Sequence, residues 1–112
     1  MSQAAVRSRA IRLAKERRRQ QELLAAERTR HLEALASRGA AAWRDVRELV
    51  ATSRPKAYEN ATVLLVDLRE IASRAGDTNE FTRQFADRLD AHGHRPAFVN
   101  RLQQAGLLEH RG

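Results

Sequence analysis

Residues 4–37 contain neither proline nor glycine. They are drawn chiefly from Ala, Arg, Glu, Gln and Leu, which lose little conformational freedom in a helix. Such a run has one regular structure open to it, a single α-helix about 50 Å long at about 1.5 Å per residue. On a helical wheel Val6, Ala10, Leu13 and Ala14 share one side, with Ile11 at its margin, and Arg9, Arg12, Lys15 and Arg19 lie on the other. Arg7, Arg17 and Arg18 intrude on the apolar side and weaken the stripe.

Residues 15–22, KERRRQQE, hold no apolar side chain for two turns. A heptad seam through Ile11, Arg18, Ala25 and Leu32 fails at Arg18, and its companion row through Ala14, Gln21, Arg28 and Leu35 fails twice. A long two-stranded coiled coil is therefore not supported. Apolar content returns at Leu23, Leu24, Leu32 and Leu35. The first half of the helix is expected to project into solvent and the second half to begin packing.

Downstream, proline and glycine punctuate four shorter periods. Gly39 either ends the first helix or sits inside it at a cost of about 1 kcal/mol. Trp43, Val46, Leu49 and Val50 form an apolar face, and Thr52 to Pro55 ends it. Tyr58, Ala61, Leu65, Leu68, Ala72 and Ala75 recur at three and four over residues 55–75, the clearest amphipathic pattern in the chain, with Gly76 as its stop. Asp77 followed by Glu80 reads as a capping box ahead of Phe81, Phe85 and Leu89. Pro96 opens a last helix with Phe98, Val99, Leu102 and Ala105 inward, and Gly106-Leu107 fits a left-handed helix end. Arg54-Pro55 before Ala57-Tyr58 is echoed by Arg95-Pro96-Ala97-Phe98. The one β-rich run, Thr62 to Val66, lies within a helical period. The expected fold is all-α: a basic helical arm over 1–37, an antiparallel helical bundle over 40–108 and a tail over 109–112.

Charge is confined in the same way. The chain of 112 residues carries 21 Lys and Arg against 14 Asp and Glu, a formal +7. Residues 1–21 hold seven bases and one acid, Glu16, so six of the seven net charges are theirs. The remaining 14 bases and 13 acids leave 22–112 nearly neutral. Arg dominates over Lys, but Ala is also abundant, and a GC-rich genome produces the same bias. The preference for Arg is therefore no recognition signal.

Several classes fall away. There is no cysteine, hence no disulfide framework, thiolate zinc site or cysteine nucleophile. No stretch approaches the ~20 apolar residues of a membrane span. The start lacks the apolar core of a secretory signal. It has the Arg-rich composition of a mitochondrial transit peptide, yet the helical pattern runs past it unbroken, which favours a cytoplasmic bacterial protein. Asp90, His92 and His94 stand close together, but a structural zinc site wants about four ligands, and histidines at a helix end are explained by the dipole. No metal or cofactor is expected. Asp67 and Glu70 have Arg69 and Arg74 beside them for ion pairs, Ser8, Ser37, Ser53 and Ser73 sit in no nucleophile elbow, and there is no phosphate-binding glycine loop. Neither catalysis nor a small-molecule substrate is expected.

Residues 55–107 resemble the helical tail that follows the SWIM-type zinc finger in many actinobacterial proteins. The matching elements are Pro-x-Ala-Tyr at 55–58, Leu-Leu-x-Asp-Leu-Arg at 64–69, Gly76, Phe81, His94-Arg95-Pro96, Arg101-Leu102 and Ala105-Gly106-Leu107. The finger itself is absent, since it needs Cys. The resemblance implies a stand-alone helical tail and carries no metal site.

Two functions follow from the residues. Arg7, Arg9, Arg12, Lys15, Arg17, Arg18 and Arg19 are the candidate nucleic-acid-binding residues, contacting the DNA or RNA backbone with no base-reading motif beside them, so that binding is expected to be largely sequence-independent. The alternative is a protein–protein adaptor or self-associating helical protein. Trp43, core by its spacing, would be the partner anchor if exposed.

Overall fold

A computed structural model describes residues 2–92 and 95–109. The fold is all-α, with helices α1 (Gln3–Ser37), α2 (Ala40–Ala51), α3 (Pro55–Ala75), α4 (Thr78–His92) and α5 (Pro96–Gln104), and no strand among the described residues. The chain divides into two units, Met1–His31 and Leu32–Gly112. The boundary falls inside α1 rather than at its end. The last turns of that helix supply buried Leu32 and Leu35, whereas Leu23 and Leu24 are 58% and 61% exposed. Packing thus begins in the second half of the helix, as expected, with partial burial from residue 28 and full burial at Leu32 and Leu35 rather than at Leu23 and Leu24.

The first unit is a helix whose side chains are exposed from residue 2 to residue 27. The second unit is built around α3, which packs against α2, α4 and α5. Its core joins Leu35, Ala42, Trp43, Val46, Val50, Tyr58, Ala61, Leu65, Leu68, Phe81, Phe98 and Leu102. Most of these are positions marked by the three-and-four periods; Leu35 and Ala42 lie outside those periods, and Ala75, which lies within one, is exposed.

Backbone chemistry sets the joints. Gly39 holds φ 53°, ψ −127°, a combination open to glycine and closed to residues with a Cβ, and α1 ends there. Arg38 is clamped to Asp45 across the turn, Nη1 to Oδ2 at 2.5 Å. Arg54 and Arg95 are extended, as residues preceding proline must be, and Pro55 and Pro96 occupy the first turns of α3 and α5. The repeated Arg-Pro element places Tyr58 and Phe98 one turn later in each helix, and their rings meet with centroids 5.6 Å apart.

Gly76 and Gly106 both take the left-handed conformation, with φ 75° and 76°. Each closes its helix with the same pair of hydrogen bonds. Asp77 N–H donates to the Ala72 carbonyl at 2.8 Å and Gly76 N–H to Ser73 at 3.3 Å, while Leu107 N–H donates to Leu102 at 2.9 Å and Gly106 N–H to Gln103 at 3.1 Å.

The capping box expected at Asp77 and Glu80 does not form. Its reciprocal bond needs the Asp77 N–H, which is already given to Ala72. The Glu80 carboxylate turns forward instead, accepting from Arg83 Nη2 at 2.5 Å, Arg83 Nε at 3.1 Å and Gln84 Nε2 at 2.9 Å. These bonds hold its carboxyl below the usual carboxylate range.

Candidate nucleic-acid interface

The seven candidate bases occupy little more than three turns of α1, from Arg7 to Arg19, about 18 Å of helix axis. All seven side chains are exposed. At about 100° per residue, Arg9, Arg12, Lys15 and Arg19 form one flank of the helix. Arg7, Arg17 and Arg18 form a second flank, roughly 150° around the axis from the first. Between them runs a line of Val6, Leu13 and Gln20, spaced by seven. Val6 and Leu13 are 55% and 45% exposed. Ala, Arg and Gln hold this segment helical with no core beneath it.

Guanidinium groups at this density suit phosphate oxygens, which they meet with parallel N–H donors. No aromatic ring on this segment can stack on bases, since no Phe, Tyr or Trp occurs before Trp43. The second flank also breaks the uncharged face that an interfacial membrane helix requires. No helix of the described residues is long and apolar enough to cross a membrane.

Trp43, the candidate partner anchor, is 8% exposed and does not stand on the surface. Phe81 packs on it with ring centroids 5.7 Å apart, and Phe85 stacks on Phe81 at 5.7 Å. The Arg88 guanidinium lies 5.6 Å above the indole. What Trp43 does present is part of the lining of an open groove of about 400 Å³, walled by Leu35, Ala36, Leu68, Ile71 and Phe81. Asp77, Glu80 and Gln84 add polar groups to this lining. The groove lies wholly within the second unit and needs α1, α2, α3 and α4 to form, so no local pattern announced it.

A further polar cluster was also unmarked. Arg95 Nη1 donates to the Val50 carbonyl at 2.7 Å and to Ser53 Oγ at 2.6 Å, reaching across to the end of α2. The same guanidinium acts on the Tyr58 phenol and, with Ser53, pulls its pKa below the ordinary value, overcoming the upward push of burial. This cluster is a structural cap: it adds a charged donor to a terminal helix carbonyl that also accepts from the Ser53 N–H at 3.2 Å. The repeated Arg-Pro pair marks two helix starts in the sequence, but nothing local to it points to partners 42 and 45 positions away.

Asp67, one of the carboxylates weighed for chemistry, is buried at 5% exposure and has an interaction partner, and Glu70 meets Arg74 at 2.5 Å. His94 and the side chain of His92 lie outside the described residues. Among the described residues no three His, Cys, Asp or Glu gather where an ion could be held. No family model, curated protein or solved structure matches the chain.

Proposed function

We propose that the chain is a non-enzymatic cytoplasmic binding module that contacts nucleic acid through phosphates with the N-terminal half of α1, largely independently of sequence. One observation carries this reading: Arg7, Arg9, Arg12, Lys15, Arg17, Arg18 and Arg19 are exposed on one continuous helix. Each phosphate they neutralise releases counterions, so affinity falls steeply with salt. With no base-reading motif beside them, the contact positions the protein largely without selecting a site.

The test is binding to a duplex of arbitrary sequence across a salt series. The full chain is compared with a variant carrying Gln at all seven positions. Gln keeps helix propensity close to that of Arg and Lys, so only charge is removed. Tight binding at low salt that is lost in the variant supports the reading. No binding at low salt, or equal binding by both chains, overturns it.

A second reading, self-association through the helical bundle, is favoured by the apolar groove beside Trp43. Light scattering decides it. A mass that rises with concentration and returns to the monomer on Ala36→Arg, which puts a charge into the groove wall, would favour this role.

A further inference from the structure

We infer that the nucleic acid is B-form duplex DNA, with the N-terminal half of α1 lying in the major groove and its two basic flanks gripping the two strands. This rests on the phosphate-binding reading above and narrows its substrate.

The flanks carry the argument. A helix that lies along one sugar–phosphate strand needs bases on one side only. Here four bases face one way and three face roughly the opposite way over the same 13 residues of α1. A target that satisfies both must offer phosphates on two sides of a helix about 10–12 Å across. The major groove of B-form DNA is about 12 Å wide, admits an α-helix, and is walled by a phosphate row on each side. A-form RNA has a major groove too deep and narrow for this, and its wide minor groove is shallow. Single strands are held by aromatic stacking, and the segment has no aromatic residue. The line of Val6, Leu13 and Gln20 between the flanks would face the groove floor. Its two apolar members can touch thymine methyl groups and Gln20 can hydrogen-bond an adenine edge, so any sequence preference is confined to these few positions. About 18 Å of helix spans roughly half a turn of duplex, which is as far as a straight helix follows the groove before it curves away.

The experiment uses the full chain and three probes of equal length: a DNA duplex, the corresponding RNA duplex and one DNA strand. A fourth probe is the DNA duplex with bulky substituents at the pyrimidine 5-position, which fill the major groove. Two variants are compared with the parent, one with Gln at positions 9, 12, 15 and 19, the other with Gln at 7, 17 and 18. Far-UV circular dichroism verifies that each keeps its helix content. The expected result is binding to plain duplex DNA at least about tenfold tighter than to the other three probes. The slope of log affinity on log salt, about −6.3 for seven phosphates, should become shallower by about 3.6 in the first variant and about 2.7 in the second. Equal binding to DNA and RNA duplexes, indifference to groove filling, or one flank with no effect overturns groove insertion while leaving phosphate binding in place. Failure to bind any probe at low salt overturns both.

Discussion

At the scale of single residues, the structure turns on a few positions whose neighbours decide their chemistry. Gly39 and Gly76 both have positive φ and open space where a Cβ would stand, so an added methyl group meets no atom and strain is purely backbone. The two strains differ. Gly76 occupies the left-handed helical well, costing an L-residue about 1–2 kcal/mol. Gly39, at ψ −127°, lies outside any well for residues with a Cβ. Gly39→Ala is therefore expected to destabilise by about 2–3 kcal/mol and more than Gly76→Ala, read as a lower urea midpoint at unchanged slope. Tyr58, the only tyrosine in the chain, offers a second test. Arg95 lowers its pKa in the folded protein, so the native state releases the phenol proton at a lower pH than the unfolded chain does. Between the two pKa values the unfolded chain holds more protons, and this group makes stability rise with pH. Arg95→Gln should move the phenolate absorbance titration upward, because the largest downward influence is removed and only Ser53 and the charge of Arg101 remain against burial, and should weaken that rise. An unshifted titration would mean that Arg95 does not govern the phenol. Whether Gly39 breaks the first helix stays open in the sequence, whereas Gly76 could be read as a helix stop because φ preference is a property of one residue. Arg95 could not, because its partners stand 42 and 45 positions away.

At the scale of elements, α3 is the helix on which the others are hung. Leu65 is 1% exposed at its centre, while Val63, two positions earlier on the same helix, is 62% exposed. Leu65→Ala should cost about 3–5 kcal/mol through lost burial and the cavity left behind. Val63→Ala should stay within about 0.5 kcal/mol and can even stabilise, because Ala is the better helix former. Thermal or urea unfolding of the two variants checks this. Comparable losses would mean that the exposed face of α3 is covered in solution, as self-association would require. The three-and-four periods made α2 to α5 legible, because an amphipathic helix must turn its apolar stripe to a core wherever the partner helices lie. The capping box misled because it was judged by residue identity alone. The Asp77 amide belonged to the preceding helix, whose glycine closure takes it first. The groove beside Trp43 was illegible for a related reason. It depends on how α2 and α4 are set against α3 and the end of α1, which Gly39 and the two-residue joint at Gly76 and Asp77 determine.

At the scale of the whole molecule, two units with different physics share one chain. The second has a core and near-neutral charge; the first is a charged helix with its side chains exposed from residue 2 to residue 27. Exposed helix is only marginally stable, since nucleation is costly and each added residue gains little. Amides over residues 8–24 are therefore expected to open with a free energy within about 1 kcal/mol of zero. The α3 amides should open only with the whole bundle, at about 5 kcal/mol or more. Native-state hydrogen exchange resolves the two classes in one experiment. Adding 200 mM-range salt should leave the slow class unchanged, because core burial is not screened. Adding duplex DNA at low salt should slow the fast class alone, since a helix fixed between two phosphate rows cannot open without losing its contacts. If residues 8–24 are already as protected as α3 in the absence of nucleic acid, they are packed against protein. The charge concentrated in them would then belong to a buried or self-associated surface rather than to a free arm. Protection that appears only with DNA, and vanishes when the seven bases are neutralised, would tie the positive charge of residues 1–21 to the partner that orders them.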